Sequence, residues 1–468
     1  VKDGADVGAR VSTGGVDGGT PEAINISGAT TIIGTNLNLA QNDRGVRTAG
    51  RMELNVTDGA TIQGNIHTNI HGDKVDQIIN VTNSTVKGDI LGSATGVDKV
   101  TVTNSTIDNI NTKGGDDVIN VNSGSKIYYK VSGGDGKDTI VVDGAGTKVG
   151  EKLTTPELKL EGSITGGTGD DDITLSGGAH ALNAGVAGWQ GNDTITIKDK
   201  GTKAFSVAGH DGNDIIRVES GATVDHAVSA NTGDGSVVVT GKDTNVGGIQ
   251  SNGNSDILVD DQAVVKGGLF AYATQGEQNI IVQGGSNVNT ISTIYNFVTD
   301  KITSGHTKDN ITIKDAYTTV KNIRTGDHDD TLIVQDGAVI TGSAILGSGK
   351  DTKITATNND GNLIINSMEG DKTIDLSNLS YADKNIKSID LSAVDGAKMN
   401  ITAKDVLDID KANGDETLTI KGGNDDTVSD TGGSTWTGKD NGSSKEYSTE
   451  LSGETVIINI DKNISTDL

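Results

Sequence analysis

Three features of the sequence point to an all-β chain built as an elongated β-solenoid, of parallel β-helix or β-roll type, with about 21 residues per rung and a small C-terminal capping module. The first is a recurring Asp-x-U-x-U pattern, where U is a large aliphatic residue. It starts at Asp98, Asp117, Asp138, Asp171, Asp193, Asp214, Asp309 and Asp330, at successive intervals of 19, 21, 33, 22, 21, 95 and 21 residues. The second is composition: 66 glycines, two prolines and 3% aromatics in 468 residues. The third is a hydrophobic fraction of 33%, below the usual ~45–50%, carried in short alternating runs. One thick core cannot be built from so little. A thin core shared between stacked units can.

Each element follows from its residues. The aliphatic pairs Val100/Val102, Ile119/Val121, Ile140/Val142, Ile173/Leu175, Ile195/Ile197, Ile216/Val218, Ile311/Ile313 and Leu332/Val334 alternate with period two. Both members of a pair therefore point to one face of a strand. A second half-repeat follows in several copies, as in "DGATIQGNI" (58–66), "NSTVKGDI" (83–90), "SGATVDHAV" (220–228) and "DGAVITGSAI" (336–345). It reads as a tight turn and a second short strand. Stacking gives inward Val/Ile/Leu ladders and outward Thr, Lys and Asp. The 95-residue interval has room for four or five rungs with degraded motifs, such as "NSDILVDD" (254–261), and the 33-residue interval holds an insertion around "KLTTPELKL" with Pro156. The competing architecture is a β-sandwich, whose strands also recur every 8–12 residues but which does not call for a 21-residue motif. The division expected is an N-terminal segment over 1–24, a solenoid over 25–385 and a cap and secretion module over 386–468.

The net charge of −26 disfavours nucleic acid and favours cations. There is no cysteine, hence no disulfide or thiolate site. No apolar run approaches the ~20 residues of a membrane span. The turns preceding the strands carry the clearest chemistry. "GGDGKDTIV" (133–141) and "GGTGDDDIT" (166–174) read G-G-x-G-x-D-x-U-x, although in the second copy Asp171 is the sixth residue within a run of three aspartates. This resembles the calcium-binding nonapeptide of β-rolls. "GWQGNDTIT" and "GHDGNDIIR" lack only the second glycine. The expected Ca2+ ligands and turn-formers are Asp117, Gly134, Gly136, Asp138, Gly167, Gly169, Asp171, Gly191, Asp193, Gly212 and Asp214. Calcium takes six to eight oxygens from carboxylates and carbonyls, and stacked loops share that task. In β-rolls the nonapeptides follow each other directly. Here about a dozen residues separate them, so at most one edge carries a calcium row. The simpler reading of the same turns, preferred for those outside 133–214, is that Gly-Asp and Asn-Asp pairs serve positive-φ positions and form Asx-turns.

From about Ile386 the pattern changes. "ITAKDVLDI" reads as a short helix with Thr402 as N-cap and Asp405 in the first turn. It is followed by "ETLTI" (416–420), "GGNDDTV" (422–428), Trp436 and a final hairpin over 445–460. This order, over about 75 of 468 residues, resembles a module near the C-terminus of type I-secreted bacterial adhesins of the repeats-in-toxin class. That module runs "ISAADVLAL", "TLTI", "GDAGDTV", "GWT" and a last strand. Residues from Ser429 depart from it, replacing an apolar run before Trp436. The resemblance implies export with an uncleaved C-terminal signal and a bacterial cell-surface location.

No enzyme motif is present. The histidines, His67, His71, His180, His210, His226, His306 and His328, fall on turns and outward positions. A lyase-like β-helix enzyme would need a cleft with a basic residue and sugar-stacking aromatics. The candidates are Arg44, Arg47 and Arg51, and the group Phe270, Tyr272, Tyr295 and Phe297, which do not form a convergent set in the sequence. The expected function is a non-enzymatic, calcium-stabilised solenoid of a surface layer or fibre, self-associating as a lattice or filament. An adhesin stalk or autotransporter-type passenger, binding cells or glycans, is the alternative.

Overall fold

A computed structural model describes residues 1–2, 4–8, 11–13, 22–34, 46–48, 52–67, 76–152, 163–272, 277–293, 308–326, 328–346, 349–359, 361–376, 386–412 and 417–468. The chain is a β-solenoid of about 14 turns, roughly 22 residues each. It divides into two compact units, one of Val1–Asp256 with Ala263–Leu269 and one of Ile257–Gln262 with Phe270–Leu468.

In the first unit each rung contributes one strand to a first parallel sheet and one longer or two short strands to a second. The alternating Asp-x-U-x-U segments form the first sheet, among them Asp98–Thr103, Val118–Asn122, Thr139–Asp143, Asp172–Ser176, Thr194–Lys198 and Ile215–Glu219. Their register stacks like on like: Leu54, Ile79, Val100, Ile119, Ile140, Ile173, Ile195, Ile216 and Val237 form one column. Every member of it is fully buried. The half-repeats form the second sheet, whose inward residues include Ile107 and Ile110, Ile127 and Val131, and Val224 and Val228. The core is the space between the two inner faces. It is one side chain deep from each sheet, which is why 33% hydrophobic residues suffice. Ile140 pairs with Ile173 across the 33-residue interval, so register is kept on both sides of it. The insertion around Pro156 lies outside the described residues.

The second corner of each rung has its own polar ladder. Thr147 Oγ1 accepts the Gly124 N–H at 2.9 Å and donates to the Asp143 carbonyl at 2.8 Å. Thr202 and Thr244 accept from Gly178 and Gly221 at 2.9 Å in the same way.

In the second unit Glu277–Val282, Lys308–Ile313, Thr331–Gln335 and Thr352–Asn359 continue as parallel neighbours. Thr352–Asn359 then turns back, antiparallel, into Asn362–Gly370. Among described residues the 95-residue interval holds three intervening strands of the first sheet, Ser236–Thr240, Asp256–Asp260 and Glu277–Val282, hence three intervening rungs rather than four or five. The last step is long because it includes 294–307, outside the described residues. The half-repeat over 336–345 departs from expectation. Ile340, its inward residue, is only half-buried, whereas Val224 in the matching place of another rung is 1% exposed; Val339 and Ile345 take outward places, 50% and 43% exposed.

Toward the C-terminus, the helix Ala403–Ala412 is capped as expected. Asp405 N–H donates to Thr402 Oγ1 and Thr402 N–H donates to the Asp405 carboxylate, both at 3.2 Å. The helix packs on Glu454–Asp461, Leu418–Lys421 and Ser444–Leu451. The final hairpin pairs Ser444–Leu451 with Glu454–Asp461. Val406, Ile409, Trp436 and Tyr447 join one buried cluster with Leu363, Ile389, Ile420 and Ile458. No helix among the described residues is long and apolar enough to cross a membrane.

Candidate functional site

All eleven residues singled out as calcium ligands or turn-formers lie on one edge of the first unit, where the second sheet turns into the first. Their arrangement follows from the motif residue by residue. The aspartate in the sixth place points inward, not outward, because the preceding rung offers it a backbone donor. The N–H groups of Asp98, Asp117, Asp138, Asp171 and Asp193 donate to Oδ1 of Asp117, Asp138, Asp171, Asp193 and Asp214 at 2.7, 2.8, 2.7, 2.9 and 2.9 Å. These six aspartates are between 0 and 2% exposed. Each satisfies an N–H that the turn leaves out of the sheet ladder.

The glycines have three distinct tasks. The first one makes room. A Cβ on Gly133, Gly166, Gly188 or Gly209 would lie 2.0 Å from Oδ2 of Asp138, Asp171, Asp193 or Asp214. The third allows close stacking in a left-handed conformation: Gly136 has φ +123 and a Cβ there would meet the Gly115 carbonyl at 2.2 Å. The second, Gly134 and Gly167, also has positive φ, and Trp189 and His210 occupy the same place in their rungs with φ of 89 and 81. A second, exposed ladder runs alongside. Asp116, Asp170, Asn192 and Asn213 accept N–H groups from Lys137, Asn192, Asn213 and Asp234 at 2.7–2.9 Å.

The buried row is electrostatically costly. Beyond the N–H it accepts, each of Asp117, Asp138, Asp171, Asp193 and Asp214 keeps a buried Oδ2 with no hydrogen-bond partner. Burial pushes the carboxyls of Asp98, Asp117, Asp138, Asp171, Asp193 and Asp214 up to about 7, 6, 7, 8, 6 and 6. The backbone hydrogen bonds oppose that rise, and neighbouring carboxylates add to it, for Asp171 those of Asp138 and Asp193. The row therefore titrates as a coupled set around neutral pH.

Calcium can be tested against this donor set. Each rung supplies one unengaged carboxylate oxygen, turned onto the first glycine. Among the described residues no three His, Asp or Glu side chains converge in metal-holding geometry. A six- to eight-oxygen shell would have to come mainly from backbone carbonyls of the stacked turns, with Oδ2 of Asp117, Asp138, Asp171, Asp193 and Asp214 as the anionic members.

Sequence reasoning did not foresee the inward ladder, nor that turns without the glycines share it. Asp98 heads the row in the first unit. In the second unit Asp309 N–H donates to Oδ1 of Asp330 at 3.0 Å, Asp330 N–H donates to Oδ1 of Asp351 at 3.2 Å, and burial pushes Asp330 up to about 7. Asp426 repeats the device, accepting the Ala397 N–H at 2.9 Å. The available signal was the aspartate itself, kept immediately before the alternating strand where the glycines are lost.

Among the described residues the remaining candidates do not form a convergent group. Arg44, Arg51, Tyr295, Phe297, His71 and His306 lie outside the described residues, and Arg47 is in the strand Val46–Thr48. Phe270 and Tyr272 rings stack at 6.1 Å. His180 and His210 belong to different strands of the second sheet. No family model, curated protein or solved structure matches the chain.

Proposed function

We propose that this chain is a non-enzymatic structural protein of a bacterial surface, a calcium-stabilised solenoid serving as a building unit of a surface layer or fibre. The observation that carries the reading is the aspartate ladder. The polar side chains that could have served chemistry are engaged between rungs, holding one turn on the next. The same row needs a counter-charge at neutral pH. Calcium at Oδ2 of Asp117, Asp138, Asp171, Asp193 and Asp214 would supply it, with turn carbonyls completing the shell, and its binding free energy would become folding free energy. In a calcium-poor compartment a chain of charge −26 repels itself. That suits export unfolded, the route implied by the resemblance of residues 386–461 to the repeats-in-toxin module.

Thermal melting of the full chain at pH 7.5, in chelator and in millimolar calcium, tests the metal. The expected outcome is a calcium-dependent rise in melting temperature; an unchanged melt removes calcium from the reading. Electron microscopy of the same samples tests assembly, with ordered sheets or filaments expected and dispersed particles alone counting against it.

A further inference from the structure

The second sheet of the first unit carries a basic column that the stacking of rungs does not require. Lys126, Lys148, His180 and Lys203 occupy one place on four successive rungs, each paired with the next in parallel register. Each stands immediately before an inward residue, Ile127, Val149, Ala181 or Ala204, so all four face outward. Lys126 and Lys203 are exposed, Lys148 and His180 partly so. Like charges side by side on neighbouring strands repel. Neutral residues serve elsewhere in the same column, Thr106 beside Lys126 and Thr223 beside Lys203. Among the described residues Lys126 and Lys203 form no ion pair, and Lys148 forms only a long one, 3.9 Å to Glu151.

The opposite end of the first-sheet strand is acidic. Asp135 and Asp211, in the third place of the motif, and Asp116, Asp170 and Asp234, in the fifth, are all exposed. Lys137 is the one base among them. The hydrogen bonds these carboxylates accept come from neutral groups. Asp135 and Asp211 accept the hydroxyls of Thr168 and Thr232 at 2.8 and 3.2 Å, and Asp116 and Asp170 accept backbone N–H groups at 2.9 and 2.7 Å. A five-residue strand such as Thr139–Asp143, about 16 Å long, keeps the acidic edge and the basic column of one molecule apart.

Both rows advance by one strand spacing per rung, about 4.8 Å. A basic column and an acidic edge of equal pitch are complementary between molecules, while the intervening strand prevents them from meeting within one. We propose that they are the two halves of a lateral contact between copies of this chain, the lysine column of one copy lying on the acidic edge of the next. The proposal rests on the structural reading above and names the surface through which the unit assembles. The contact joins two different patches, so each added copy leaves one half of each kind unused and association continues. A single exposed ion pair contributes little; several in register add. Repulsion between chains of charge −26 is screened beyond about 10 Å in ~0.1 M salt, which leaves the contact pairs to decide.

The test is assembly of the full chain in millimolar calcium and about 0.1 M salt, read by light scattering and electron microscopy. Lys126→Thr, Lys148→Thr and Lys203→Thr, combined, supply the residue type of the flanking rungs. That variant is expected to keep or raise the melting temperature and to lower scattering about tenfold. Two charge-reversed variants give the second arm, one with Lys126→Glu, Lys148→Glu and Lys203→Glu, the other with Asp135→Lys, Asp211→Lys and Asp234→Lys. Each alone is expected to stay dispersed and their mixture to assemble, although both remain acidic overall. Undiminished assembly of the threonine variant, or a mixture that scatters no more than its components, overturns the contact and leaves the structural reading in place. A parent that stays dispersed overturns both. Saturable binding of polygalacturonate that the threonine variant loses, without assembly, gives the column to a polyanion and overturns the contact.

Discussion

At Asp138 one carboxylate joins two rungs and also sets their response to protons. Its Oδ1 holds the Asp117 N–H, and its Oδ2 is buried against Gly133. Removing the side chain in Asp138→Ala leaves that N–H unpaired, a loss of about 1–3 kcal/mol, seen as a lowered melting temperature. Asp138→Asn keeps an acceptor and removes the charge. It is expected to match or exceed the parent at pH 8 in chelator. The sign of the pH effect follows from the raised acidities. The folded carboxyls titrate at about 6 to 8, whereas an unfolded aspartate titrates near ~3.9. Between these values the folded chain binds more protons, so stability falls as pH rises from about 4 through 8. Melts in chelator should therefore show a lower transition at pH 8 than at pH 5, and a flat or rising trend would show that the row is not holding protons. Gly133→Ala tests the first glycine. With ordinary φ but a Cβ only 2.0 Å from Asp138 Oδ2, it should destabilise more than Gly433→Ala, which meets nothing within 4 Å and bears only the strain of φ +72.

The strands and the helix differ in how local their causes are. The helix Ala403–Ala412 is legible because its cap is a local pattern: Thr402 and Asp405 exchange hydrogen bonds three residues apart, and Val406 and Ile409 fall on one buried stripe. Thr402→Ala should cost about 1 kcal/mol, measurable by urea denaturation as a shifted midpoint with unchanged slope. The inward aliphatic pairs were equally legible, since period two leaves no other face for them. The half-repeats were not. "SGATVDHAV" and "DGAVITGSAI" read alike, yet Val224 is 1% exposed while Ile340 in the matching place is only half-buried. Only the neighbouring rungs decide whether a short strand is covered.

For the chain as a unit of construction, each rung depends on the next, and an uncovered end is a hazard. In the second unit, Ser388–Asp390 pairs along Asn362–Gly370, and Leu418–Lys421 along Ser388–Asp390. Deleting residues 386–468 would open that edge and uncover Ile354, Leu363 and Ile365 of the buried cluster. The truncated chain is expected to aggregate through strand pairing, which light scattering and thioflavin fluorescence would report. A soluble, monomeric truncation would show that residues 386–468 do not protect the edge.

The period of about 21 residues, the inward Val/Ile/Leu columns and the capped helix are properties of residue spacing, and spacing is written along the chain. The direction of the aspartates is not. Whether Asp138 faces solvent, a cation or the interior depends on a backbone N–H 21 residues away, which comes within reach only when two turns stack. The same holds for the glycines. The motif looks like a set of flexible hinges, yet Gly133 is needed for space and Gly136 for close approach. It holds too for Trp189, which in sequence is only an imperfect copy of the motif. In the folded chain parallel register places it between Gly167 and His210.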